Sequence, residues 1–176
     1  QVEPPMRVTS LDTHAHGFYW TEGIRGLGWA PDAIPTLKNG STVGIPSPPA
    51  ILLPNGNVVK PDIRDAERLQ GFPPGWTDFG NGGSKQSWRW SLVGNAVTVP
   101  VAQWLGRRLT NPVTYDEVMD VGPFDSGRWP RAARFDGARR VAVACSAFPE
   151  WRERPPLAEF LEYLPQLLSV RATAGF

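Results

Sequence analysis

Apolar positions recur at helical spacing in three places along the chain. Between Asp62 and Gln70, Ile63, Ala66 and Leu69 fall on one face. Asp62 is placed to cap this helix, and Asp65, three residues later, is a short form of the capping-box acid. Gly71 suits a left-handed stop, and Pro73-Pro74 forbids continuation. The pattern therefore predicts a short helix over 62–70 that delivers Phe72, with Arg64, Asp65, Glu67 and Arg68 around its remaining surface. The second stripe is Val101, Trp104, Leu105 and Leu109. Pro100 suits its first turn, and Arg107 and Arg108 suit its C-terminal end. Gly94 is expected in the turn before it, where a missing Cβ allows close backbone approach. Further on, RRVAVACSAF reads as a buried strand. PLAEFLEYLPQLL reads as an amphipathic helix with Leu157, Phe160, Leu161, Leu164 and Leu168 facing the core.

The rest is less regular. Residues 17–60 break short apolar pieces with Gly, Pro and Asn, and few windows there sustain a helix. AILL, PNGN and VV in succession predict a β-hairpin around an Asn-Gly turn. This region reads as a small, irregular β-rich lobe with long loops. Residues 1–16 show no period, Gly80–Trp90 (GNGGSKQSWRW) reads as a glycine-rich loop, and residues 120–134 form a Pro/Arg-rich connection. There are no internal repeats and no low-complexity tract.

Composition narrows the classes. The chain has 176 residues and a formal net charge of +1, so a polyanion contact has to come from a local patch. Its 19 prolines and 18 glycines mark a loop-rich chain, while 8 tryptophans argue for packing or flat recognition surfaces. One cysteine excludes an internal disulfide and fits a reducing compartment. No apolar run approaches the ~20 residues of a membrane span, and no signal-peptide pattern opens the chain. A start at QVEPPMRV, without Met, suggests a fragment, a processed chain or a trimmed one. His14 and His16, two apart with no third ligand, read as surface residues and not as a metal site. Cys145 reads as a small core residue and not as a nucleophile. Trp20, Trp29, Trp76, Trp88, Trp90 and Trp104 suit packing more than base stacking.

Two segments carry a family resemblance. RDAERLQGFP, Arg64–Pro73, resembles the ninth shared motif of DNA (cytosine-5)-methyltransferases, and LVGNAVTVPVA resembles their tenth. Their order and separation match that family, and AIPTLKNGSTVGIPSPPA resembles the end of its target recognition domain. The resemblance covers about residues 17–110. Asp65 stands where the family has Glu. The Pro-Cys-Gln nucleophile, the Glu-Asn-Val segment and the glycine-rich turn for S-adenosylmethionine have no counterpart in these 176 residues.

The resemblance implies a mixed α+β fold: an irregular β-rich target recognition lobe, plus the C-terminal helices and a strand of a truncated Rossmann-like methyltransferase lobe. The expected division is a recognition lobe over 1–60, the motif nine and ten segment over 61–112, and a C-terminal extension over 113–176. Gly94, Asn95 and Ala96 would wall the S-adenosylmethionine pocket, with Asn95 bonding near the donor and Gly94 and Ala96 keeping the wall thin. Arg64, Asp65, Arg68 and Phe72 would brace the two lobes, the arginines on carboxylates or carbonyls and Phe72 by burial. Lys38, Asn39, Ser41, Thr42, Lys85 and Arg89 would meet double-stranded DNA at phosphates and base edges. No residue of this chain would be catalytic and no metal is implied. The partner would be a catalytic N-terminal region or a separate subunit, in a bacterial cytoplasm. The alternative is a non-catalytic DNA-binding module derived from such an enzyme.

Overall fold

Five short strands carry the larger part of the molecule. The computed structural model describes residues 9–22, 26–40, 48–80, 85–124, 127–146, 150 and 152–173. The chain divides into two compact units, Val8–Arg107 with Pro155–Phe176, and Arg108–Arg154 with Gln1–Arg7.

In the first unit, β1 (His16–Phe18), β2 (Ala30–Pro31), β3 (Ala50–Leu52), β4 (Val58–Lys60) and β8 (Gln166–Leu167) form an antiparallel sheet in the order β2-β1-β3-β4-β8. The expected hairpin is β3–β4, with Ile51 opposite Val59 and Gly56 at φ +81 in its turn. One core cluster (Ala15, Ile51, Val59, Leu157) lies on this sheet. Helix α1 (Ile63–Leu69) starts with the Asp62 side chain accepting from the Arg64 N–H and stops at Gly71, φ +87. Ile63 and Ala66 belong to a second cluster, with Leu37, Trp90 and Val93. Ile34 and Leu69 touch both clusters and join them.

Several expectations change. Arg64 is exposed, but Asp65 and Glu67 are completely buried, because tertiary partners wait for both carboxylates. The glycine-rich loop does not last to Trp90: α2 runs Gln86–Asn95, since Trp90 and Val93, one turn apart, bury against α1. Gly94 and Asn95 thus sit in the last turn of a helix and not in a connecting turn. Helix α3 (Val99–Thr110) forms as expected. The helix expected from Leu157 is a single turn, α4 (Leu157–Phe160). Pro165 has no N–H for a helix, and the Asp65 carboxylate takes the N–H groups of Glu162 (3.2 Å) and Tyr163 (3.0 Å). The chain continues into β8, leaving Leu164 91 % exposed, and ends its described part in the short α5 (Val170–Thr173). Asp32 ties this returning segment down: in a left-handed conformation (φ 47) and fully buried, it accepts the Leu157 N–H at 2.7 Å. His16 is not a surface residue either, being buried in β1 and stacked on Trp29 at 5.1 Å. Among the described residues no three His, Cys, Asp or Glu side chains group as a metal site.

The second unit contains β5 (Asp120–Pro123), β6 (Ala133–Phe135) and β7 (Arg140–Val143), antiparallel in the order β5-β7-β6. Its strand β7 ends at Val143 and buries only Val141, so the long buried strand is not realised. Cys145 lies beyond that end and is exposed, which corrects its reading as a core residue. Asp120 is held by the Arg134 guanidinium (2.9 and 2.5 Å) and by the Tyr115 hydroxyl (2.7 Å). Arg134 first, and Tyr115 after it, bring the Asp120 carboxyl down to about 2. Among the described residues no helix is long and apolar enough to cross a membrane.

Candidate functional site

The segment Leu-Gln-Gly after α1 docks directly onto the connection between α2 and α3. Gln70 is the hinge pin of this junction. Its side-chain amide donates to the carbonyl of Val93 (2.9 Å) and, more weakly, to that of Ala96 (3.4 Å). Its side-chain oxygen accepts from the Thr98 hydroxyl (2.7 Å), and its backbone carbonyl accepts the Val99 N–H (2.8 Å). Four bonds from one buried residue thus hold Val93–Val99, the stretch containing Gly94-Asn95-Ala96. Gly71 is needed twice over: besides its positive φ, a Cβ there would lie 2.8 Å from Cδ of Pro100.

A third segment joins from the other side. A Cβ on Gly94 would lie 2.1 Å from the carbonyl carbon of Lys38 and 2.3 Å from the backbone nitrogen of Asn39. Real Cβ atoms do not approach backbone so closely, so Gly94 exists to admit Lys38–Asn39. The Ser91 hydroxyl donates to the Asn39 side-chain oxygen across the same contact. The space that Gly94 leaves is therefore filled by this chain's own backbone. A groove of about 450 Å³ opens beside the junction, lined by Thr36, Gln70, Ala96, Thr98 and Val101 among others. Asn95 is exposed, and its side-chain amide makes no hydrogen bond among the described residues.

The charged residues of α1 face inward as much as outward. Glu67 receives the N–H groups of Gly75 (2.5 Å) and Thr77 (2.9 Å), the Thr77 hydroxyl and the Arg89 guanidinium (2.9 Å). Burial alone raises its pKa, but the bonds from Thr77, Arg89 and Gly75 outweigh burial and leave it below the usual carboxylate value. Arg89 also donates to the Thr77 hydroxyl at 3.0 Å, so its guanidinium is engaged inside the molecule. Arg68 reaches Asp65 (2.6 Å), the Phe160 carbonyl (2.7 Å) and Glu162 (2.5 Å). Arg64 pairs with Asp62 at 2.8 Å and covers the Tyr163 ring at 3.9 Å. Both arginines thus meet carboxylates or a carbonyl of this chain. Phe72 is only half-buried: it stacks on the exposed Trp76 at 5.5 Å, because Gly71 turns it outward from the α1 core.

The polar residues expected at DNA meet different partners where they are described. Lys38 lies 3.6 Å from Glu22 and 3.9 Å above the Tyr19 ring, with its side chain still 38 % exposed. Asn39 sits at the Gly94 contact. Lys85 is exposed just before α2, 5.9 Å from the Trp88 ring centre. Ser41 and Thr42 lie outside the described residues. Four buried polar residues of the described part escaped the pattern reading: Glu67, Gln70, Thr77 and Asp32. The one usable signal was a charge, Glu67, in the middle of a helix whose next turn is buried.

No family model matches the chain, and no solved structure does. A curated bacterial protein, M2.BsuMI of Bacillus subtilis (strain 168), is 44 % identical over an alignment of 166 residues that covers 92 % of this chain. It is a type II methyltransferase. At this identity over nearly the whole chain, the similarity supports a methyltransferase-derived protein. The chain spans 42 % of the length of that relative.

Proposed function

We propose that the chain is the C-terminal portion, or a C-terminal subunit, of a DNA (cytosine-5)-methyltransferase. It supplies target recognition and one wall of the S-adenosylmethionine pocket, while the catalytic Cys belongs to polypeptide outside these residues. The observation that carries this reading is the bare face of α3. Val101, Leu105 and Leu109 follow one another at four-residue spacing and are 55 %, 51 % and 74 % exposed, and Val97, two residues before the helix, is 66 % exposed. An apolar helix face of that length belongs against another surface, and it begins directly after Gly-Asn-Ala. In the proposed enzyme the catalytic lobe covers it, in the cytoplasm of a bacterium.

The residues at the junction fit a share in donor binding. The free Asn95 amide offers one acceptor and two donors, suited to the polar edges of the ligand, and Ala96 leaves room beside it. Gly94 instead locks the Lys38–Asn39 segment to the donor wall, so that recognition and donor sites share one support. S-adenosylmethionine, when bound, provides the methyl group that is transferred. Lys38, Asn39 and Lys85 are the DNA contacts, with Ser41 and Thr42 nearby in sequence, while Arg64, Asp65, Arg68 and Phe72 brace the lobes. Arg89 acts from within, by fixing the loop after α1 through Glu67.

The test is reconstitution. The chain is combined with a polypeptide that carries the Pro-Cys-Gln region, and transfer of a labelled methyl group to DNA is measured. Activity is expected from the pair and from neither part alone. Cytosine methylation by the isolated chain would overturn the proposal. So would a chain that binds DNA but gains methyl transfer with no such polypeptide, which is the behaviour of a stand-alone binding module.

A further inference from the structure

The unit Arg108–Arg154 supplies none of the junction residues. Six of its arginines fall into two sets. Arg134 pairs with Asp120 (2.5 Å), Arg139 with Asp136 (3.3 Å) and Arg152 with Glu150 (2.9 Å). Arg128, Arg131 and Arg140 are exposed and form no ion pair among the described residues. Arg128 and Arg131 flank Trp129 in sequence, and the guanidinium of Arg140 lies 6.0 Å from the Trp129 ring centre.

Trp129 is 69 % exposed, yet its position is held. Phe124 meets it edge-on, with ring centres 5.3 Å apart and planes at 70°. Arg140 opens β7, and the preceding turn is fixed by Asp136, which accepts the N–H groups of Ala138 and Arg139, both at 2.9 Å. That turn neutralises Arg139 locally and leaves Arg140 free beside the indole. The surface thus presents a flat apolar ring with one cation beside it and two more next to it in the chain, none of the three in an ion pair among the described residues.

We propose that Arg128, Trp129, Arg131 and Arg140 form a second contact for duplex DNA, outside the recognition segment. The chemistry favours this occupant. Phosphates at regular spacing suit three unneutralised guanidiniums, and a sugar or base face suits the indole, which an acidic peptide would leave unmatched. The choice of DNA among polyanions rests on the methyltransferase reading above. The contact is to backbone, so it adds affinity without sequence preference.

The experiment uses the full chain and a random-sequence duplex, with affinity measured across a salt series. The triple variant Arg128→Gln/Arg131→Gln/Arg140→Gln is compared with Trp129→Ala and with Lys38→Gln. Circular dichroism confirms that each variant is folded. The triple variant is expected to bind about tenfold or more weakly, with a log–log salt slope shallower by about 0.9 for each arginine on phosphate. Trp129→Ala is expected to weaken binding several-fold with an unchanged slope. A triple variant with the affinity and slope of the unaltered chain overturns this inference, as does tighter binding of the unaltered chain to polyglutamate or to anionic vesicles than to the duplex. Failure of the methyltransferase reading looks different: reconstituted methyl transfer is then absent although the duplex still binds.

Discussion

Glu67 concentrates what single residues decide here. Four groups converge on its carboxylate, one of them the Arg89 guanidinium. Removing one partner of a buried pair leaves the other uncompensated, so Glu67→Ala is expected to destabilise the fold by about 3 kcal/mol in chemical denaturation. Its pKa in the folded state lies below the unfolded value. The stabilisation is therefore complete above the ordinary carboxylate pKa and is lost as pH falls through that range towards the folded value. Denaturation midpoints of the unaltered chain and of Glu67→Gln should accordingly converge in acid. Asp120, at about 2, is the second titration marker. Carbon-detected NMR should find it ionised down to about pH 2, and Arg134→Gln should return it towards the usual range. At Gly94 the constraint is steric. A methyl group 2.1 Å from the Lys38 carbonyl carbon must displace backbone, so Gly94→Ala should cost about 1–3 kcal/mol. The partners themselves do not show in the sequence, because folding brings them from other segments: Gly75, Thr77 and Arg89 to Glu67, Tyr115 and Arg134 to Asp120, and Lys38 to Gly94.

Elements were legible where their cause is local. Helix α1 and its stop at Gly71 were readable because cap, period and terminator lie close together in the chain, and the β3–β4 hairpin because its turn residues dictate it. Helix α2 was hidden by the glycines before it; it forms because Trp90 and Val93 find α1 and Leu37. The helix expected over 157–168 failed for the complementary reason. Its period is real, but Pro165 and the Asp65 carboxylate take the chain elsewhere. Asp65→Ala is thus expected to release the segment around Glu162 and Tyr163, read as faster amide exchange at those two residues. For α3, the period was right and its burial was left open. Leu105→Glu with Leu109→Glu should change the stability of this chain by no more than about 0.5 kcal/mol. The same pair should abolish reconstituted methyl transfer, since the charges would meet the covering lobe. Unimpaired activity in that variant would remove α3 from the proposed interface.

At the scale of the molecule, the two motif-like segments are one object. RLQGFP and GNAVTVP lie well apart in sequence, and Gln70 bonds them together. Gln70→Ala should loosen that object, with a loss of about 1–3 kcal/mol from the unpaired groups left at Val93 and Thr98. In reconstitution it should weaken donor binding by calorimetry more than DNA binding. The unit Arg108–Arg154 has a thin core, with Val141 alone buried among its described apolar residues, and the Asp120–Arg134 pair links β5 to β6 beside it.

Local order was in the sequence itself: where helix α1 starts and stops, where the hairpin turns, which face of α3 is apolar, and which two segments resemble methyltransferase motifs. These depend on interactions within one or two turns, which a linear string displays. Tertiary structure alone decided which charges go inside, that Gly94 admits Lys38–Asn39, that Gln70 pins the junction, and that residues 161–168 leave the helix for the sheet. Each of those depends on what arrives from tens of residues away, and a buried carboxylate or a missing Cβ has no meaning until its neighbour is known.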